Sequence, residues 1–296
     1  MDSKKIEFPA IEYHADDFGL FDRQSRRIMV CQEQGRMNGV SVMPNGEALP
    51  TCMDWLSRRD DVVAVTIHLN LIEGHCLTQP ALKLGLTDAQ GNLAAHFPSL
   101  LLHSFLPGRK ARQNWLKGEL TAQIQAVASH FHADAALRID SHAHYHMLPV
   151  VFDALIEVIR ENHLNVSYIR IPREYPILYL RHWRELQDFS PINLVKVLIL
   201  NILALRNCIR HRDFLCHMEK KLFLGVFLSG SMHRGNVDAI LPDAVKLAKE
   251  KGWNLEVLSH PGGVEEPEDI AKLTSREDVA FLTSPKRQKE VDLFLF

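Results

Sequence analysis

Aspartates and histidines recur in this chain at spacings that suit metal and proton chemistry. They are the pair Asp16-Asp17, a lone His68, the cluster Asp140-Ser141-His142-Ala143-His144-Tyr145-His146, and His260. One carboxylate and two imidazoles make the facial set that holds a single divalent ion with positions left open. Non-haem iron oxygenases share that set, but a spare aspartate and a further histidine favour hydrolysis. The ion activates a water near neutral pH and polarises a scissile carbonyl. A free carboxylate can take the water's proton, and an imidazole such as His260 can protonate a leaving amine.

Within the pair, one carboxylate would bind the ion and the other would handle a proton. Gly19 frees the turn that follows, and Asp22 is better placed to cap the next helix. Histidines 142, 144 and 146 look like three ligands on one strand face. At least one of them should instead support or pack, because a ligating imidazole needs a partner on its other nitrogen. His142 lies nearest the strand end, with Asp140 on its face as an orienter. A structural zinc site from the triplet alone would lack cysteines and a fourth ligand. His260 also fits a plain turn residue before Pro261-Gly262-Gly263.

These residues need a scaffold that brings them together. Short apolar runs alternate with helical patterns seven times. The strands are expected at Glu7–Asp16, Gly39–Pro44, Val62–His68, Ala136–His142, Val166–Pro172, Leu222–Ser229 and Leu255–Ser259. Helices are expected near Asp22–Gln34, Glu47–Arg58, Gln113–Phe131, Pro149–Glu161 and Val237–Lys251, with another after Glu266. Runs such as VVAVTI are apolar throughout, as parallel strands covered on both faces require. The expected fold is α/β, an incomplete (β/α) barrel one strand short of eight, in a single domain over residues 1–296. Its strand C-termini share one face, so Asp16, Asp17, His68, His142 and His260 should converge there, with Arg170, Arg173 and Ser229 nearby.

At 296 residues and 24% charged, with a net charge of -2, the chain is neither disordered nor a basic nucleic-acid binder. Five scattered cysteines form no disulfide framework and read as reduced thiols of a cytoplasmic protein. No apolar leader follows the charges at positions 2, 4 and 5. Residues 174–221 break the alternation and read as an insertion. It holds the run Ile192–Leu205, 14 residues with Asn193, Lys196 and Asn201 inside, which is too short and too polar for a membrane span. Those polar residues share an arc of about 140°, so the run should be an amphipathic helix. Its apolar stripe should be buried, as a cap over the pocket or in a homodimer interface. The basic stretch at 206–221 lacks interleaved aromatics and reads as a solvated face rather than a nucleic-acid site.

The stretches HADDFGL (14–20), HLNL (68–71), DSHAHYHMLP (140–149) and LEVLSHPG (255–262) resemble the YdjC-like carbohydrate deacetylases, which include bacterial chitooligosaccharide deacetylases. The resemblance implies a barrel-like fold, a divalent ion commonly described as magnesium, and removal of an acetyl group from an N-acetylated amino sugar. Two imidazoles argue on affinity for zinc as the alternative. By this resemblance Asp17, His68 and His142 are the metal ligands, Asp16 the general base and His260 the general acid. His14 stands where Asn or Thr is expected and shares a strand face with Asp16. His144, His146, Asp140 and Arg173 are candidates for substrate contact or support. Two other functions compete: a metal-dependent hydrolase of a phosphoester or cyclic amide, for which only Arg170 and Arg173 could form an arginine cluster, and a non-catalytic sugar-binding protein.

Overall fold

The computed structural model describes residues 9–62 and 64–295. Seven strands form one sheet: β1 Ile11–Phe18, β2 Gly39–Val42, β3 Ala64–Leu69, β4 Leu137–Ser141, β5 Val166–Ile169, β6 Lys221–Leu224 and β7 Asn254–Ser259. The expected start of the first strand, Glu7, lies outside the described residues. All pairings are parallel, in the order β5-β4-β3-β2-β1-β7-β6. The fold is therefore the expected incomplete barrel, with β5 and β6 as its two edges.

Among the described residues twelve helices link or follow the strands: α1 Asp22–Glu33, α2 Leu49–Leu56, α3 Phe97–His103, α4 Arg109–Ala128, α5 Pro149–Glu161, α6 Pro176–Arg181, α7 Ile192–Arg210, α8 Arg212–Leu215, α9 Arg234–Lys251, α10 Pro267–Ile270, α11 Arg276–Leu282 and α12 Lys286–Val291. Pro149 suits the first turn of α5, where its missing N–H has no partner to lose. Gly252 ends α9 in a left-handed conformation at φ 68. Gly35 serves differently: a Cβ there would meet the Phe294 carbonyl oxygen at 2.1 Å, so it permits a close approach of the C-terminal segment.

A complete eight-stranded barrel fills its interior with layers of branched aliphatic side chains. This one fills much of it with charge. Arg138 on β4 reaches across to Glu12 on β1 at 2.9 Å, and Lys221 on β6 meets the same carboxylate. Arg170, just past β5, spans to Glu256 on β7 at 2.7 Å. The open seam is closed by Glu174, whose carboxylate accepts from the backbone N–H groups of Gly225, Val226 and Phe227 beyond β6. One side chain thus satisfies donors that a further strand would otherwise pair. Burial nonetheless pushes the Glu174 carboxyl up to about 7.

Several elements differ from expectation. The second and sixth strands end at Val42 and Leu224 rather than Pro44 and Ser229. The fourth ends at Ser141, and residues His142–Met147 form a 3₁₀ turn with Ala143 and His144 at φ 47 and 58. The histidine triplet therefore does not share a strand face. The insertion contributes α6, α7 and α8, and α7 runs five residues beyond the expected Leu205 end. At 19 residues and a mean hydropathy of 1.7, it is long and apolar enough to cross a membrane by length and composition.

Its amphipathic pattern is inverted. Asn193 donates to the carbonyls of Phe227 and Ser229, Asn201 exchanges hydrogen bonds with the Glu174 backbone, and Asn207 donates to Met147. The apolar stripe faces outward, with Ile202 68% and Leu205 60% exposed, so the chain does not bury it against itself as expected. The basic stretch at 206–221 is also more than a solvated face: Arg206, Arg210 and His211 surround the buried carboxylate of Asp153.

Candidate metal and catalytic site

Two adjacent strand residues normally point to opposite faces. Asp16 and Asp17 escape this because β1 slips register against β2 between Ala15 and Phe18, and Asp17 turns left-handed at φ 66. Such a conformation is costly away from glycine, though Asp tolerates it better than most residues, and it persists where surrounding contacts over-determine it. Here they do. Asp17 Oδ1 accepts from His142 Nδ1 at 2.8 Å, and Oδ2 accepts from Arg287 at 2.6 Å. Burial opposes ionisation, yet His142 and Arg287 hold the Asp17 carboxyl well below the usual carboxylate range. Asp22 does not cap α1 as expected. It is the first helical residue and pairs with Arg26 at 2.8 Å.

His68, from β3, approaches Asp17 from another side. Its Nδ1–H donates to Asp140 Oδ1 at 2.7 Å, which leaves Nε2 buried without a hydrogen-bond partner, 3.5 Å from Asp17 Oδ1. Burial alone would lower its pKa, but the Asp140 and Asp16 carboxylates outweigh that and raise it to about 9. Ligand atoms of Asp17, His68 and His142 all lie within 4.8 Å of one another. Five buried carboxylates (Asp16, Asp17, Asp140, Glu256 and Glu290) face two buried guanidiniums, Arg170 and Arg287. An orphaned imidazole nitrogen, a carboxylate oxygen shared between two rings and an excess of buried negative charge together fit a divalent cation. Asp140 orients His68 rather than His142, and it does so while accepting from Ser41 Oγ at 2.5 Å.

Asp16 is held by Arg170 Nη1 at 2.9 and 3.0 Å, while Arg170 also pairs with Asp140 and Glu256. His14 bridges Ser41 and Glu12, both at 2.7 Å, and its Nε2 stands 3.8 Å from Asp16. His260 receives a different mount. Its backbone N–H donates to Glu290 at 2.7 Å, and its ring packs edge-on against Phe281. Burial raises the Glu290 carboxyl, but hydrogen bonding and charge from His260 bring it below its usual value.

The remaining sequence candidates separate. His146 is fully buried, donating from Nε2 to the Arg170 carbonyl and accepting from Ser141 at Nδ1, both at 2.7 Å; burial lowers its pKa to about 4. It anchors the backbone and does not line the cavity. His144 faces the cavity, packed edge-on against Phe223. Burial and the nearby Arg170 lower its pKa well below the usual imidazole range. Arg173 is exposed over the Tyr175 ring and does not line the cavity, contrary to expectation. Arg287 and Glu290, both on α12, escaped sequence reasoning. The run KRQKEV carries no signal beyond an i, i+3 pair of opposite charges.

Asp16, His142, His144 and His260 open onto a cavity of about 420 Å³. Its walls are mainly apolar, and α7 closes one side with Lys196, Ile199 and Leu200. The insertion therefore contributes to the pocket wall, although its apolar stripe stays exposed rather than buried as a cap.

The family model for YdjC-like protein matches residues 11–294, and the chain belongs to that family. A chitooligosaccharide deacetylase of Yersinia enterocolitica is 26% identical over 210 residues, covering 69% of this chain and 79% of the relative. A chitooligosaccharide deacetylase of Escherichia fergusonii is 32% identical over 139 residues, covering 47% and 51%. A carbohydrate deacetylase of Danio rerio is 24% identical over 159 residues, covering 54% of this chain and about half (48%) of the relative's length. Among solved structures, a protein from Enterococcus faecalis V583 named for cellobiose-phosphate cleavage superposes with a TM-score of 0.61. That match covers 97% of this chain and 96% of the other at 15% identity, a likeness of fold.

Proposed function

We propose that this member of the YdjC-like family is a single-domain, cytoplasmic hydrolase that removes the acetyl group from an N-acetylated amino sugar. A divalent ion would be held by Asp17, His68 and His142. Magnesium is the first choice and zinc the alternative, since two imidazoles favour zinc on affinity while magnesium keeps more of its waters. When bound, the ion supplies a Lewis acid for the acetamide carbonyl and a lowered pKa for water.

The observation that carries the reading is that the grouped ligand atoms of Asp17, His68 and His142 include a residue, His142, that opens with Asp16 and His260 onto one cavity. Arg170 Nη1 donates to both oxygens of Asp16 and fixes the group in place, where it would accept a proton from water. His260, positioned by Glu290, would return a proton to the leaving amine. A phosphoester is less well served. Arg170 is consumed by three carboxylates and Arg173 lies outside the cavity. Five unpaired cysteines fit the reducing cytoplasm.

Acetate release from N-acetylglucosamine oligomers tests the reaction. Elemental analysis of protein prepared without chelators tests the ion. Stoichiometric metal in both His68→Ala and His142→Ala would place the ion elsewhere.

A further inference from the structure

The outer surface of the insertion is the largest feature that the chemistry leaves unused. Ile192, Leu194, Leu198, Ile202, Leu205 and Ile209 project from α7 into solvent along a single arc, and Leu180 and Trp183, on α6 and the turn after it, are exposed as well. Leu102, Phe105 and Leu106 are exposed at and beyond the end of α3, whose Phe97 and Pro98 line the cavity. The cavity thus has exposed apolar side chains beside two of its walls. Ile199 belongs both to the exposed arc and to the cavity wall.

We propose that the outer face of α7 docks on an anionic membrane surface and that the amino sugar deacetylated there is the headgroup of a membrane lipid. The second half rests on the deacetylase reading above. Between Asp188 and Asp213 the chain has no acidic residue, while Lys196 and Arg212 are exposed and Arg210, paired with Asp153, is half-exposed at its side chain. An exposed apolar helix face with cations and no acidic residue along it has the chemistry of a helix lying in the interfacial plane. The helix does not span the bilayer, because its asparagines are tied to the barrel backbone along the inner face. A second copy of the chain fits poorly. A two-fold contact through α7 would set Lys196 and Arg212 near their own images with no acidic partner on the helix. The cavity agrees with the surface. Phe97, Leu200, Leu258 and Phe281 offer a free oligosaccharide no hydrogen bonds, but they can shelter the start of a hydrocarbon chain.

The test is flotation of the whole protein with phosphatidylcholine vesicles containing phosphatidylglycerol, comparing the parent with Ile202→Glu/Leu205→Glu. Both sites are exposed and lie outside the cavity lining, so the fold should be unaffected. The parent should float, and the variant should bind about tenfold more weakly or worse. On N-acetylglucosaminyl diacylglycerol in those vesicles the variant should lose a similar factor, while matching the parent on soluble N-acetylglucosamine oligomers. Three results overturn the proposal: a parent that stays with the unbound protein, a variant that floats equally well, or a parent dimer in sedimentation that the variant dissociates. Substitution-sensitive flotation without acetate release from any N-acetylated sugar would leave the docking surface standing and remove the deacetylase reading instead.

Discussion

The strand-end cluster and the outer face of α7 follow opposite rules. In the cluster the carboxylates and Arg170 are shared among several partners: Arg170 touches three carboxylates, Asp140 touches His68, Ser41 and Arg170, and Asp17 is pinned from two sides. On α7 the inner asparagines are hydrogen-bonded to the barrel backbone, and the outer apolar side chains stand exposed. A site that must hold an ion and move a proton gains from over-determination, because misplacement by a fraction of an ångström loses rate. A surface that must meet a partner gains from having none within its own fold. On the proposals above, one region carries the chemistry and the other recognition, and substitutions can separate the two.

The largest effect should fall on rate. Asp16→Asn should keep the ion and lose about 10²–10⁴-fold in deacetylation, the usual worth of a positioned base. Metal content measured beside the rate separates this from Asp17→Asn, which should lose affinity for the ion and recover part of its rate at high metal. If Asp16→Asn turns over near the parent rate, His14 or His260 must be the base.

Next comes Arg170→Met. Removing the cation leaves Asp16, Asp140 and Glu256 buried without their shared partner, at about 3–5 kcal/mol of stability. Chemical denaturation reads this directly. A loss below about 1 kcal/mol would mean that water reaches the cluster, and that the saturation drawn above is not what holds it.

The closing residue of the seam gives an effect of similar order that depends on pH. The Glu174 carboxyl sits near 7 in the folded chain against an ordinary 4.5. A carboxyl raised on folding contributes stability that is complete below its unfolded value and is lost as pH rises through the folded one. Between pH 4.5 and just above 7, the loss from this group should be on the order of 3 kcal/mol. Glu174→Gln should flatten that part of the stability profile. Parallel profiles for parent and variant would remove Glu174 as its source.

The sequence made the strand-end chemistry legible because each of its residues sits where an apolar run stops. HADDFG, HLNL, DSHAHYH and SHPG all announce a strand that ends in a reactive side chain. What it could not announce was partnership between distant segments. Asp140 lies two residues before His142, yet its hydrogen bond goes to His68, 72 positions away on the neighbouring strand. Arg287 and Glu290 occur in KRQKEV, where four charges in six residues look like solvated surface until the fold buries two of them. For α7 the periodicity was readable but its sense was not. Polar residues ordinarily face water, whereas these asparagines face the barrel because backbone carbonyls at its open seam need donors.

The smallest expected effect tests the α7 side of the comparison. Leu198 is half-exposed on the outer arc and does not line the cavity. Leu198→Gln should therefore change stability by no more than about 0.5 kcal/mol, as substitutions on an unpartnered surface do. A leucine of the inner face, Leu203→Ala for instance, should cost about 2–5 kcal/mol, because it removes buried volume that the barrel cannot collapse to fill. Thermal or chemical denaturation of the two variants, at a protein concentration low enough to keep copies apart, gives the contrast in one experiment. If Leu198→Gln instead costs more than about 1 kcal/mol and the cost grows with protein concentration, the outer face is already covered by another copy. The helix would then belong with the saturated region, not against it.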